Sequence, residues 1–262
     1  MGALGSAWAI FRAGWRMQLQ SMRHHPDWFL TLILAPLQTV VFVTIFQHAQ
    51  RGDLTAYGVL APALIALWGL SLQTSGELIS RERENGSLEG LLAAPGRFDV
   101  MMLGRISLVT SLALLAFVEC WLTGWLITGE LIPIAHPAVF VVVVIVSAWA
   151  MTGWAGVMAS VFVLARSART FQNSLSYPFY VLGGVLVPVA LLPEWLQPAT
   201  RLVFLSWSSD LLRASLAADP VRGLATGLVA IVLLGAVGYL LSHHLLGRAL
   251  HRARTTGSLT HA

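Results

Sequence analysis

Lysine is absent from this sequence: all 16 basic residues are arginine. That absence removes the phosphate-loop lysine, the Schiff-base lysine and the lysine general base together. Any nucleotide hydrolysis connected with this chain must therefore occur on another one. Charge of either sign is scarce, at 11% of residues against 56% hydrophobic, where a soluble domain carries about 25% charged and about 45–50% apolar residues. This is the balance of an integral membrane protein. The single cysteine, Cys120, lies in an apolar run and excludes an intrachain disulfide, so the redox compartment stays unread. A net charge of +4 would speak for nucleic acid only if clustered on a solvated face; its distribution follows membrane topology instead.

Long apolar runs dominate what is present. A membrane-crossing helix needs about 20 mainly apolar residues, and six stretches qualify, over about 28–47, 57–79, 103–129, 138–165, 171–192 and 224–246. We read residues 1–262 as one all-α polytopic membrane domain. Six spans put both termini on one side, which then collects twelve arginines, Arg105 among them, against four on the other. The positive-inside rule makes that side cytoplasmic. Gly2–Arg23 lacks the apolar core and cleavage site of a signal peptide. It reads as an interfacial helix: at about 100° per residue Leu4, Trp8, Phe11, Trp15, Leu19 and Met22 share one arc, and Arg12, Arg16 and Arg23 the next. A helix packed on a soluble partner is the competing reading. Between spans five and six, Pro193–Gly223 holds Trp195, Phe204, Trp207 and several leucines, broken by Pro193 and Pro198. We expect two short helices dipping back into the outer leaflet, with an interfacial aromatic belt as the alternative.

Charge concentrates in Ser80–Pro95, SRERENGSLEGLLAAP, between spans two and three. Arg81, Glu82, Arg83 and Glu84 alternate in sign and Gly86 interrupts. Ser87 can cap a second helical turn, Leu88–Ala94, which stops at Pro95. Leu88, Leu91 and Leu92 form an apolar face at i, i+3, i+4 spacing. A leucine-faced turn with a charged approach suits a groove on a soluble subunit. A self-paired charge cluster that keeps the loop in water reads the same residues equally well.

The order ERE-x-G-S-L-E-x-L-L-x-x-P, followed by Gly104-Arg105 entering the third span, resembles the permease subunit of an ABC-2 type exporter, of the daunorubicin-resistance kind. Pro178–Arg213, PFYVLGGVLVPVALLPEWLQPATRLVFLSWSSDLLR, is similar to that family's run of Pro, Gly, Pro, LP-x-W-L and a closing D-x-x-R. It departs at Ser206-Trp207-Ser208-Ser209, where a Pro-Leu/Thr pair is commoner before the Asp. The resemblance implies a cytoplasmic coupling helix in the charged insert, with Glu82, Arg83, Glu84, Gly86, Leu88, Glu89 and Leu91 contacting or shaping an ATPase interface. It also implies two ATPase subunits that bind ATP and Mg, a second permease copy that is identical or paralogous, surrounding membrane lipids, and no catalytic residue, cofactor or nucleic acid for this chain. The implied activity is ATP-driven export of an amphipathic small molecule, drug or lipid-linked compound across a bacterial plasma membrane, hence efflux and antibiotic resistance. A path between permease copies would use Gln38, Phe42, Tyr177 and Tyr180; helix packing accounts for the same polar positions, with Asn173, Ser174 and Ser176.

Glu119 is the sole acid well inside a span, and burial of an ionisable group there is costly enough to make it a functional candidate. It could relay protons or meet a cationic drug, or it could be a protonated or locally paired structural carboxyl. A proton-coupled secondary transporter using Glu119 is thus the rival function, ahead of an intramembrane enzyme, for which no nucleophile and base pair is placed. His24-His25 and His243-His244 invite a metal, but neighbours on a helix point apart and no Cys or carboxylate lies at ligand spacing. Metal is therefore set aside.

Overall fold

The structure, a computed structural model, describes residues 3–24, 28–51, 54–84, 86, 90–91, 97–164 and 176–256. Among them the regular structure is helical throughout. In chain order these are α1 (Ala3–His24), α2 (Trp28–His48), α3 (Thr55–Glu84), α4 (Phe98–Ala113), α5 (Leu115–Thr128) and α6 (Pro137–Leu164). A helix follows whose described part is α7 (176–182). After it come a 3-10 turn (Val189–Leu191), α8 (Gln197–Thr200), α9 (Phe204–Leu216) and α10 (Leu224–Thr256).

Among the described residues four segments are long and apolar enough to cross a membrane: Thr55–Leu78 in α3, Phe98–Thr128 across α4 and α5, Pro137–Phe162 in α6 and Leu224–Arg248 in α10. Leu32–His48 in α2 is apolar but shorter. The third span is one unit because α4 and α5 are separated only by Leu114, whose backbone stays in the right-handed helical region. The fifth expected span, 171–192, differs from expectation: its first residues lie outside the described ones, and the helix ends at Leu182. The cause is local. Gly184 takes φ +65, a conformation that ends helices and that side chains with a Cβ resist, and Pro188 precedes the 3-10 turn.

α3 and α6 form the middle of the bundle. α3 packs against α2, α4, α5 and α6, while α6 packs against α3, α4, α9 and α10. Trp68 on α3 is fully buried, stacked on Phe179 of α7 and tilted against Phe204 of α9, so apolar aromatic area joins three helices at once. α10 is tied along α6 by Trp154 Nε1 donating to the Leu234 carbonyl (3.1 Å) and Tyr239 Oη donating to the Trp149 carbonyl (3.2 Å). One face of α2 stays open: Leu30, Leu34, Leu37 and Val41 are each more than half exposed.

Candidate functional site

The charged end of α3 is where the chain departs most from an apolar bundle. The apolar window of α3 closes at Leu78, yet the helix continues to Glu84. The expected separate approach segment is thus the last turns of the second span. Gly86 follows with φ +65, the break the Asn-Gly pair predicts.

Glu82 does not point away from the protein. It is 8% exposed, and its Oε1 accepts from Arg105 Nη1 at 2.6 Å. Arg105 is 2% exposed on α4, and its Nε donates to Gln18 Oε1 of α1 at 3.2 Å. A buried guanidinium is tolerable only when paired and hydrogen-bonded. Here one arginine meets both needs with partners on two other helices. Two further hydroxyl contacts lie along the same seams: Ser71 of α3 is 2.9 Å from Thr110 of α4, and Trp15 Nε1 of α1 donates to Ser107 of α4 at 2.8 Å.

Backbone geometry makes the α1–α4 seam unusually close. A Cβ on Gly14 would run into the Met101 carbonyl oxygen, and one on Gly104 into the Phe11 carbonyl oxygen. Each glycine thus admits the other helix's backbone, as small residues do at membrane helix crossings. The packed face of α1 is Gly14, Gln18 and Met22, whereas Trp8 at 60% exposure, Trp15 and Leu19 lie outward. The stripe legible in the sequence thus meets the docking face only at its edge, through Met22 and the Trp15 bond to Ser107.

At the start of α4, Asp99 lies in the first turn, where a carboxylate is favoured by the helix dipole. Its Oδ2 accepts from Arg97 at 3.0 Å and lies 2.6 Å from His243 Nδ1 of α10. The sequence spacing offers no carboxylate to His243; the fold supplies one from 144 positions away. Among the described residues no cluster of His, Cys, Asp and Glu could hold a metal ion. The polar contacts around the first turns of α4 thus join α1, α3, α4 and α10.

The opposite end of the bundle carries a second arginine. Arg213 of α9 donates through Nη2 to the carbonyls of Gly184 and Val185 in the turn that follows α7, and lies over the Tyr57 ring at 5.3 Å. Burial pulls its guanidinium below the ordinary value, with Asp210 and then Tyr57 acting the other way. Asp210 is 3.9 Å from Arg213 but bonds Arg201 at 2.9 Å. The closing D-x-x-R is therefore an ion-pair acid followed by an arginine that holds the turn after α7. The serines that depart from the resembled pattern are all buried, and two of them bond across the fold: Ser208 pairs with Ser147 of α6 at 2.7 Å, and Ser209 donates to the Gly183 carbonyl at 2.7 Å.

The remaining expected site residues are dispersed. Arg83 and Glu84 fall in the last turn of α3. Leu88 and Glu89 lie outside the described residues, as do Ser87, Pro95, Asn173 and Ser174. Leu91 is half-buried against the core. Gln38 and Phe42 are half-buried on α2, Tyr177 is exposed, and Tyr180 is 8% exposed with its hydroxyl 3.4 Å from the Ile65 carbonyl of α3. Glu119 is half-buried on α5, and its Oε2 is buried with no hydrogen-bond partner among the described residues. Gln18 was not singled out by sequence reasoning, and Arg105 was named only as half of the Gly104-Arg105 pair, with no partner assigned. The only signal available was a Gly-Arg pair entering a span, where an arginine needs a partner.

No curated protein matches the chain. A family model described as ABC-2 type transporter matches residues 9–217, a stretch that runs from α1 through the end of α9 and takes in both arginine centres. The chain, membrane-embedded and built of apolar crossing helices, belongs to the ABC-2 type transporter family.

Proposed function

We propose that this chain is the permease subunit of an ATP-driven exporter of amphipathic molecules, drug-like or lipid-linked, and that a separate ATPase chain drives it. The observation that carries this reading is the overshoot of α3: a charged helix end beyond the apolar window, broken at Gly86 and tied inward to α1 and α4. The absence of lysine supports placing ATP and Mg on the partner chain. In this reading two ATPase subunits close on ATP and push on residues 81–95 of two permease copies, and rigid helices carry the motion to the opposite end. The insert lies on the cytoplasmic side of a bacterial plasma membrane, with six spans, both termini inside and the hairpin of α8 and α9 in the outer leaflet. The open face of α2 would border the path between permease copies, with Gln38, Phe42 and Tyr177 along it; Tyr180 would join only after α7 shifts from α3. Arg83, Glu84, Gly86, Leu88, Glu89 and Leu91 contact or shape the ATPase interface, and Glu82 shapes it from within.

A proton relay through Glu119 has less support. A relay needs a chain of exchangeable partners, and the buried oxygen of Glu119 has none among the described residues. The family match also favours an ATP-driven permease over a secondary transporter.

The test is purification of the full chain in mild detergent, followed by reconstitution with the ATPase that co-purifies. ATP-dependent accumulation of an amphipathic fluorescent dye in proteoliposomes is the expected result. Transport driven by a pH gradient without any ATPase would overturn the reading. Charge reversal at Glu84 should lower permease-dependent ATP turnover while leaving membrane insertion intact.

A further inference from the structure

Glu82 was expected to face a partner, and the structure turns it inward. Its carboxylate accepts from Arg105 at 2.6 Å, and the same guanidinium holds Gln18 at 3.2 Å. These contacts sit one helical turn beyond the apolar window of α3, at the last rigid point before the Gly86 break. A push on the insert must pass through this turn to reach the membrane-crossing helices.

We propose that Arg105 is a positioning residue for energy coupling: its grip on Glu82 and Gln18 makes the charged end of α3, the helix α1 and the entry of the third span move as one body. The proposal rests on the transport reading above. Arginine suits this role because its planar fork presents several donors in fixed directions, and charge-assisted bonds are the strongest polar ties available in a dry site. The neighbouring contacts keep the three helices in register without carrying charge. Ser71 meets Thr110 across α3 and α4, Trp15 meets Ser107 across α1 and α4, and Gly14 and Gly104 let the backbones of α1 and α4 approach. Without the arginine, α3 would keep its helix but lose its directional link to α1. A displacement of the insert would then be absorbed by bending at the α3 end.

The experiment compares Arg105→Gln, Arg105→Lys, Glu82→Gln and the exchanged pair Glu82→Arg with Arg105→Glu in the full complex. Arg105→Gln and Glu82→Gln should each lower permease-dependent ATP turnover about tenfold or more in kcat, with KM for ATP unchanged and the ATPase subunit still co-purifying. Arg105→Lys should recover part of the loss, and the exchanged pair about a third of wild-type turnover. In the permease alone, with Cys120→Ala and spin labels at Arg16→Cys on α1 and Glu84→Cys at the end of α3, Arg105→Gln should broaden the distance distribution and the exchanged pair narrow it again.

Wild-type turnover in Arg105→Gln would overturn the proposal. So would an exchanged pair no better than either single variant, or loss of the ATPase subunit from the Arg105→Gln complex, which would make Arg105 part of the docking surface. A wild-type complex with no permease-dependent ATP hydrolysis would refute the transport reading and the coupling role together, while the label distances would still decide whether Arg105 holds α1 and α3.

Discussion

The two ends of the bundle each bury an arginine, and they neutralise it differently. At the insert end, Arg105 meets a buried carboxylate and a side-chain amide on two other helices. At the hairpin end, Arg213 meets two backbone carbonyls and an aromatic ring, and its nearest acid, Asp210, is turned to Arg201. The first arrangement is a charge pair whose worth depends on both partners being present. The second is a tie to a turn, whose acceptors belong to the backbone and survive any substitution around them. A pair between helices can transmit force in a chosen direction; a bond to turn carbonyls fixes the turn itself.

The comparison breaks most readily at Arg105. Arg105→Ala should remove the buried guanidinium that both Glu82 and Gln18 face and cost about 3–5 kcal/mol, read as a large drop in the thermal unfolding midpoint in mild detergent. Arg213→Ala should cost less, about 1–3 kcal/mol, because it strands neutral carbonyls. The acids sharpen the contrast: Glu82→Ala should destabilise nearly as much as Arg105→Ala, whereas Asp210→Ala should change the midpoint little. Equal losses for the two acids would make the ends equivalent after all.

Two smaller effects test the seams. Gly104→Val places a side chain against the Phe11 carbonyl and should cost about 1–3 kcal/mol through overpacking, together with release of α1, read as faster proteolysis near the N-terminus. Ser208→Ala leaves Ser147 without its buried partner and should cost about 1 kcal/mol, while Ser147→Ala with Ser208→Ala should cost less than Ser208→Ala alone. At the bottom of the scale, Arg201→Ala removes a half-exposed pair with Asp210 and should shift stability by about 0.2–1 kcal/mol.

Much of the scaffold is legible in the amino-acid sequence. Apolar runs of sufficient length mark α3, the α4–α5 unit, α6 and α10, because length and composition alone decide whether a helix can cross a bilayer. The Asn-Gly break after Glu84 is also legible, since Gly86 can take a positive φ at little cost. Periodicity is less informative for α1. It says that Leu4, Trp8, Phe11, Trp15, Leu19 and Met22 share an arc, but not which of them protein covers: Met22 is buried alongside Gly14 and Gln18, whereas Trp8 and Leu19 lie outward. Small and amide residues carry little hydrophobic signal, so a face made for close backbone approach is nearly silent in sequence.

The site divides in the same way. That Glu82 and Arg105 belong to the important stretches is readable from their motifs; that they meet each other is not. Local rules reach three or four residues along a helix, whereas Arg105 pairs with groups 23 and 87 positions away. By itself the sequence determined that this chain is a membrane-embedded helical protein with no lysine with which to build a phosphate loop, since composition and run length suffice for both. Only the tertiary structure decided which charge neutralises which arginine. Pairing at that range follows from how helices cross, and the crossing is set by packed faces that no single stretch of chain contains.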